Sequence, residues 1–329
     1  MSTGTVWATS SSPPATTASR ADAHASVVGE ADADQLSQVL FSADIDGDGI
    51  DEFICGTARS GDYEGAVYVE WGPIQPGTWS AGQADVRLRG SVGSWFGADA
   101  GTADLDGDGR TDLVVGAAGD HGRDGAVHLF SGTSLTGAPA EGLAADGLLV
   151  GEGGGFGGTI DPGGDRDGSG LPDLLVGAQG FGSGFAVPGR TYIFNDFGIN
   201  DDTYAAAAVT LEGEGTSAYS GAARWLGDIN GDGYEEALIG QGGLVGGAGR
   251  SFLFYGPISP DLTMHSEADA SFDGEISDRL GGGGLSGPQL PEYRAGDADG
   301  DGYDDFMLPA FGNGTDHGRV YFFRGASGP

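Results

Sequence analysis

Five acidic stretches recur along this 329-residue chain, and they constrain its fold more than any other feature. They read DIDGDGIDE (Asp44–Glu52), DLDGDGRTD (Asp104–Asp112), DRDGSGLPD (Asp165–Asp173), DINGDGYEE (Asp228–Glu236) and DADGDGYDD (Asp297–Asp305). Each has oxygen-bearing side chains at positions 1, 3, 5 and 9, a backbone carbonyl available at position 7, and glycines at 4 and 6 that let the chain curl around one hard cation. That pattern predicts Ca²⁺ loops, one about every sixty residues.

A helix–loop–helix Ca²⁺ module would need a bidentate Glu at position 12. Position 12 is Cys55, Val115, Val176, Ile239 and Leu308, all apolar, and each lies in a run that reads as a strand. The helical module therefore fails on the residue that would close its coordination shell.

Four loops carry the full set of side chains: Asp44, Asp46, Asp48 and Glu52; Asp104, Asp106, Asp108 and Asp112; Asp228, Asn230, Asp232 and Glu236; Asp297, Asp299, Asp301 and Asp305. Their position-7 carbonyls belong to Ile50, Arg110, Tyr234 and Tyr303. The third loop has Asp165, Asp167 and Asp173 with the Leu171 carbonyl, but Ser169 at position 5 and Arg166 at position 2, so weaker binding is expected there. Four to five Ca²⁺ ions are expected in all. Mg²⁺ fits less well, because it demands tight octahedral geometry and dehydrates reluctantly. Converging carboxylates repel unless a dication neutralises them, which links ordered loops to bound metal and gives the ions a structural role.

The rest of the chain repeats with the loops. An apolar residue followed by a small one precedes them (Phe96-Gly97, Phe156-Gly157, Tyr219-Ser220, Leu280-Gly281, and Leu36-Ser37 in weaker form). A buried strand, a Gly-rich turn and an alternating strand follow. A last strand ends at Gly29, Gly90, Gly151, Gly213 and Gly274, which lie 61, 61, 62 and 61 residues apart. Four short strands per period with glycine turns predict an all-β β-propeller of four-stranded blades, with five blades. The last period stops after its third strand, whereas residues 23–30 resemble the fourth-strand segment 268–275. The N-terminal strand is therefore expected to complete the last blade and close the ring. This gives a flexible leader or remnant of a preceding repeat at 1–22, where Gly4 to Trp7 resemble another third strand, one propeller domain at 23–325 and a tail at 326–329.

The combination of Phe-Gly, the Asp-rich loop, Asp-Leu-Val-Val-Gly-Ala and Gly-x-Val-Tyr-x-Phe resembles the FG-GAP repeats of integrin α-subunit β-propellers and their bacterial relatives over roughly residues 23–325. The resemblance implies that each Ca²⁺ loop joins the innermost strand to the second and that partners meet the opposite face. Integrin propellers have seven blades with only some metal loops, and five periods nearly all carrying a loop depart from that pattern.

A formal charge of −35, with Arg as the only basic residue type, makes nucleic acid and anionic membranes poor partners. The single cysteine, Cys55, reads as a core residue, and no run of eighteen apolar residues predicts a membrane span. The first twenty residues lack the basic start and apolar core of a secretion signal, although millimolar external Ca²⁺ suits the loops and points to an extracellular or cell-surface setting. The glycine runs at 153–158 and 281–284 lack the Gly-Lys-Ser/Thr end of a nucleotide cradle.

Catalytic signatures are weak: the Asp-His-Gly turns at Asp120-His121 and Asp316-His317 are explained by the repeat itself. Turns on the face away from the loops carry Arg59, Tyr63, His121, Arg123, Phe181, Phe185, Phe311 and His317, beside Trp95, and could meet a peptide or stack on sugars. Trp95 and Phe96 are expected to pack between blades, Trp71 and Trp79 to cover a sheet edge, and Trp225 to lie in the core. Asn313 begins a glycosylation sequon. The expected function is a noncatalytic, monomeric Ca²⁺-binding propeller for adhesion, protein–protein interaction or surface assembly, taking a protein or glycan ligand. The alternatives are a lectin or a carbohydrate-active propeller enzyme.

Overall fold

The computed structural model describes residues 23–32, 34–59, 61–137, 141–180, 188–200, 202–213, 220–242, 247–263, 265–275, 280, 294–310 and 318–327. Its strands are β1 (Ala25–Val28), β2 (Val39–Ala43), β3 (Glu52–Thr57), β4 (Ala66–Glu70), β5 (Gly77–Ser80), β6 (Val86–Arg89), β7 (Phe96–Ala103), β8 (Asp112–Ala117), β9 (Ala126–Phe130), β10 (Gly147–Val150) and β11 (Thr159–Gly164). They continue as β12 (Asp173–Ala178), β13 (Arg190–Phe194), β14 (Asp202–Thr203), β15 (Val209–Glu212), β16 (Ser220–Trp225), β17 (Ala237–Gln241), β18 (Arg250–Phe254), β19 (Ala270–Asp273), β20 (Arg294–Gly296), β21 (Asp305–Ala310) and β22 (Arg319–Phe323).

These strands form successive antiparallel sheets in the order β2-β3-β4-β6, β7-β8-β9-β10, β11-β12-β13-β15, β16-β17-β18-β19 and β20-β21-β22. The fold is β-propeller-like, each sheet being one repeat of the sequence. Among the described residues helix is confined to short turns such as Asp120–Arg123 and Gly132–Thr136. No helix among the described residues is long and apolar enough to cross a membrane.

The middle strands read as unbroken apolar runs because both of their faces are covered. In β8, Leu113 and Val115 join a core cluster with Ile54, Val67 and Val69 of the preceding sheet. Val114 between them joins Val127, Leu129, Phe156 and Val176 toward the following sheet. Side chains alternate across a strand, so each blade contributes to two cores at once. Phe96 and Phe156 are fully buried there and Trp225 lies in the next core, as expected. Cys55 is buried and its thiol is pushed up to about 12, mainly by desolvation, as befits an inert core residue.

Neighbouring blades also meet through main chain. Gly65, Gly125, Gly189 and Gly249 form parallel bridges to Phe96, Phe156, Ser220 and Leu280 of the next blade. A Cβ on Gly65 would lie 1.9 Å from the Phe96 carbonyl oxygen, and Gly65 has φ +76°, so only glycine serves. A cavity of about 1250 Å³ opens along the inner strands. On its wall Asp99 accepts hydrogen bonds from Arg224 Nη2 (2.8 Å) and Ile160 N (2.9 Å), tying three blades together.

Among the described residues the N-terminal strand makes one of the two contacts of a closing strand. β1 does not pair with β22 but lies parallel on β5, with Ala25 opposite Gly77 and Val28 opposite Ser80. The connection between third and fourth strands reaches back to the outer strand of the blade before it. The same happens where β14 pairs parallel with β10. The last blade therefore shows three strands. Val320 and Phe322 on its outer side are 66% and 49% exposed, whereas their counterparts in the other blades are at most 2% exposed. Leu40 on the far side of the first blade is 59% exposed.

Candidate metal centres

Each acidic stretch lies between the first and second strands of its blade, and the five loops share one hydrogen-bond plan. The position-1 Asp accepts from the main chain of positions 4 and 6: Asp44 Oδ1 from Gly47 N (2.8 Å) and Asp44 Oδ2 from Gly49 N (2.9 Å), with the same pair at Asp165, Asp228 and Asp297, whereas Asp104 takes only the bond from Gly109 N (3.0 Å). Position 3 accepts from the N–H of position 5, as Asp46 does from Asp48 (3.0 Å). Position 5 accepts from that of position 7, as Asp48 does from Ile50 (2.8 Å). Glycines 47, 49, 107, 109, 168, 170, 231, 233, 300 and 302 all take positive φ, as the curl requires.

Position 9 is anchored from two directions. Glu52, Asp112, Asp173, Glu236 and Asp305 each accept from the N–H of position 2 at 2.7–2.9 Å. The other oxygen accepts from the second residue after the third strand: Gly72, Gly132, Asp196, Gly256 and Gly325. These carboxylates are almost fully buried. Desolvation pushes Glu236 up to about 7 and Asp173 to about 6, and raises Glu52 and Asp112, with neighbouring loop aspartates adding to the shift.

The structure gathers ligand atoms within 4.8 Å of one another in all five loops: Asp44, Asp46 and Asp48; Asp104, Asp106 and Asp108; Asp165, Asp167 and Asp173; Asp228, Asp232 and Glu236; Asp297, Asp299 and Asp305. Asp104 Oδ1 is buried with no hydrogen-bond partner. A buried anionic oxygen without a donor is costly, and a hard cation is the partner that its all-oxygen surroundings fit. Asn230, at position 3 of the fourth loop, reaches Asp232 Oδ2 (3.1 Å) through its amide nitrogen. The position-7 residues Ile50, Arg110, Leu171, Tyr234 and Tyr303 have only their carbonyls to give their own loops, and the side chains of Arg110, Tyr234 and Tyr303 reach the preceding loop.

The third loop holds a residue that the motif does not show. Asp196 Oδ1 lies 2.5 Å from Ser169 Oγ, bringing a carboxylate to the one loop that lacks it at position 5. Asp196 has φ +46° and occupies the place that Gly72, Gly132, Gly256 and Gly325 take in the other blades. An Asp where four repeats have Gly is the signal that could have found it. Nearby, Arg166 is buried and donates from Nε to Asn195 Oδ1 (3.0 Å), while Asn195 Nδ2 donates to Asp167 (2.7 Å).

On the opposite face, Tyr63 and Trp95 both adopt positive φ (60° and 55°), with ring centroids 6.1 Å apart. Beside them Asp120 is held below the usual carboxylate range, chiefly by its hydrogen bond with His128 Nε2 (3.0 Å). His121 Nδ1 approaches Asp120 at 3.5 Å. Phe181, Phe185, Phe311, Asn313 and His317 lie outside the described residues, as do the side chain of Arg123 and the N-terminal Gly4 to Trp7.

Residues 96–130, which run from β7 through the second loop to β9, match the model of the FG-GAP repeat. Integrin alpha-7 of Homo sapiens is 38% identical over 144 residues, covering 42% of this chain and 12% of that protein. Integrin alpha-PS5 of Drosophila melanogaster is 33% identical over 150 residues, covering 43% of this chain and 14% of that protein. Integrin alpha-V of Gallus gallus is 28% identical over 217 residues, covering 61% of this chain and 19% of that protein. The chain thus spans less than a fifth of the length of these relatives. It carries an FG-GAP repeat and is related to the α-subunit domains of integrins.

Proposed function

We propose that this chain is a noncatalytic, Ca²⁺-stabilised propeller that works outside the cell or at its surface in adhesion or assembly. The observation that carries the reading is the gathering of three carboxylates within 4.8 Å in each of five loops, every loop ending in a buried position-9 carboxylate, together with the partnerless Asp104 Oδ1. Four to five Ca²⁺ ions would be held by positions 1, 3, 5 and 9 and the position-7 carbonyl, with Asp196 supplying charge beside Ser169. The bound ion supplies positive charge to a cage that otherwise concentrates like charges. The chain's own contribution is to fix each carboxylate on main-chain N–H groups, so that little freedom is left to lose on binding. Because each cage joins β2–β3 or its equivalent, ordering it fixes the inner edge of the blade.

The face away from the loops, where Tyr63 and Trp95 lie beside Asp120 and His121, is the proposed contact surface for a protein or glycan ligand. Five blades and a ring closed between β1 and β22 belong to the same proposal. They are supported by the matching exposure of Leu40 and Phe322 at the two ends of the array.

The test is calorimetric titration of Ca²⁺ into metal-stripped protein, with melting measured in parallel. Four or five equivalents and a large rise in melting temperature are expected. Two or fewer equivalents, or binding without stabilisation, would sink the reading.

A further inference from the structure

Neighbouring loops touch in parts of the array. The side chain or main chain of one loop reaches back to the loop before it, and the pattern of these ties differs around the array. Glu235 N, at position 8 of the fourth loop, donates to the carbonyl of Asp165, position 1 of the third, at 3.1 Å. Asp304 N, at position 8 of the fifth loop, donates to the carbonyl of Asp228, position 1 of the fourth, at 3.4 Å. The Tyr234 ring lies over Gly168, where a Cβ would come within 2.8 Å of its Cε1. The Tyr303 ring lies likewise over Gly231, at 2.5 Å.

The chemistry of one peptide group makes these ties consequential. The carbonyl of position 7 and the N–H of position 8 belong to a single planar unit, and in a trans peptide they point in opposite directions. In the fourth and fifth loops the N–H end of that unit holds the position-1 residue of the preceding loop, so the position-7 carbonyl points away from that loop and is free for its own cage. A cation on the carbonyl fixes the plane and polarises the amide, strengthening the N–H as a donor to the neighbour. Between the second and third loops this route is closed: position 8 of the third loop is Pro172, which has no N–H, and Leu171 at position 7 is 48% exposed. Among the described residues no hydrogen bond joins these two loops. The first and second loops are tied by a side chain instead, Arg110 Nη1 donating to the Asp46 carbonyl at 2.9 Å.

Resting on the calcium reading above, we infer that the loops bind metal as two groups. The third, fourth and fifth loops fill as a coupled set, with Tyr234 and Tyr303 as positioning residues, and Pro172 insulates them from the first two. Coupling between sites is reciprocal, so losing the ion from the fifth loop weakens the fourth.

The experiment uses the whole chain, stripped of metal and titrated with Tb³⁺, which substitutes for Ca²⁺ and is sensitised by nearby tyrosine. Tyr234 and Tyr303 place sensitisers in the coupled set, and the titration is made in a Trp71→Phe background because Trp71 adjoins the Gly72 that bonds Glu52 of the first loop and would otherwise add its own signal. Far-UV circular dichroism confirms that each variant keeps its β structure. Asp301→Asn, in the fifth loop, is expected to weaken the remaining tyrosine-sensitised binding by about fivefold or more. Asp108→Asn, in the second loop, leaves that binding at its original midpoint. By Ca²⁺ calorimetry, Tyr303→Ala weakens the fourth site although it removes no ligand, and Tyr303→Phe restores it. A fall in amplitude at an unmoved midpoint in Asp301→Asn overturns the coupling, as does an equal shift from Asp108→Asn. Absence of any sensitised signal or Ca²⁺ heat in the unsubstituted chain sinks the calcium reading itself, a result distinct from independent sites.

Discussion

At the scale of single residues, the third loop shows how a motif can be incomplete in sequence and provisioned in space. Ser169 removes a carboxylate from position 5, and Asp196, 27 residues later, returns one at 2.5 Å. In the other blades this place is glycine for want of room, a Cβ on Gly132 coming within 2.5 Å of the Thr111 carbonyl oxygen, whereas Asp196 takes a positive φ that those glycines do not have and that Asp tolerates better than most side chains. Asp196→Asn keeps the hydrogen bond to Ser169 and removes the charge. It is expected to lower the Ca²⁺ count by one without changing the other four affinities more than their coupling requires, as read by calorimetry. The carboxylates that the loops gather were legible directly, because a loop closed by local main-chain bonds needs them at fixed offsets. Asp196 was not, since its place is set by the packing of the third strand against the loop and not by spacing within it.

At the scale of elements, the four strands of each repeat were readable from alternation and glycine punctuation, and β6, β10, β15 and β19 fall on the segments that end at the periodic glycines. The parallel pairs β1–β5 and β10–β14 were not readable. Strands of two to four residues carry too little alternation to register, and their partners lie in a different blade. The close approach of blades is a stronger constraint than either. A Cβ on Gly177 would lie 1.9 Å from the Gly221 carbonyl oxygen and 2.1 Å from Thr159 Oγ1. Gly177→Ala forces two blades apart and is expected to destabilise the protein by about 3 kcal/mol, measured by denaturant unfolding in saturating Ca²⁺. Gly142, with nothing within 4 Å of a Cβ, gives the contrasting position: there the cost comes from its φ of +86° alone.

At the scale of the whole molecule, the sheets β5-β1 and β22-β21-β20 are two pieces of the arrangement that β14-β10-β9-β8-β7 shows complete. By the register of Leu253 opposite Ala270 in β18–β19, Phe322 of a closed ring would face Ala25. The double substitution Ala25→Cys and Phe322→Cys is expected to form an intramolecular disulfide on oxidation, detected by a mobility shift that reduction reverses. Buried Cys55 stays out of the exchange. A disulfide found only between chains would mean that the two ends meet in different molecules. The likeness of residues 23–30 to 268–275 pointed to the seam, but whether the ring meets there depends on how far each blade turns from the last. That turn is fixed where Gly65, Gly125, Gly189 and Gly249 touch the next blade through bare main chain. Side chains inside the blades can therefore drift in size while the pitch of the fan stays constant, so the number of blades in a full turn is inherited through four small gaps in the side-chain record.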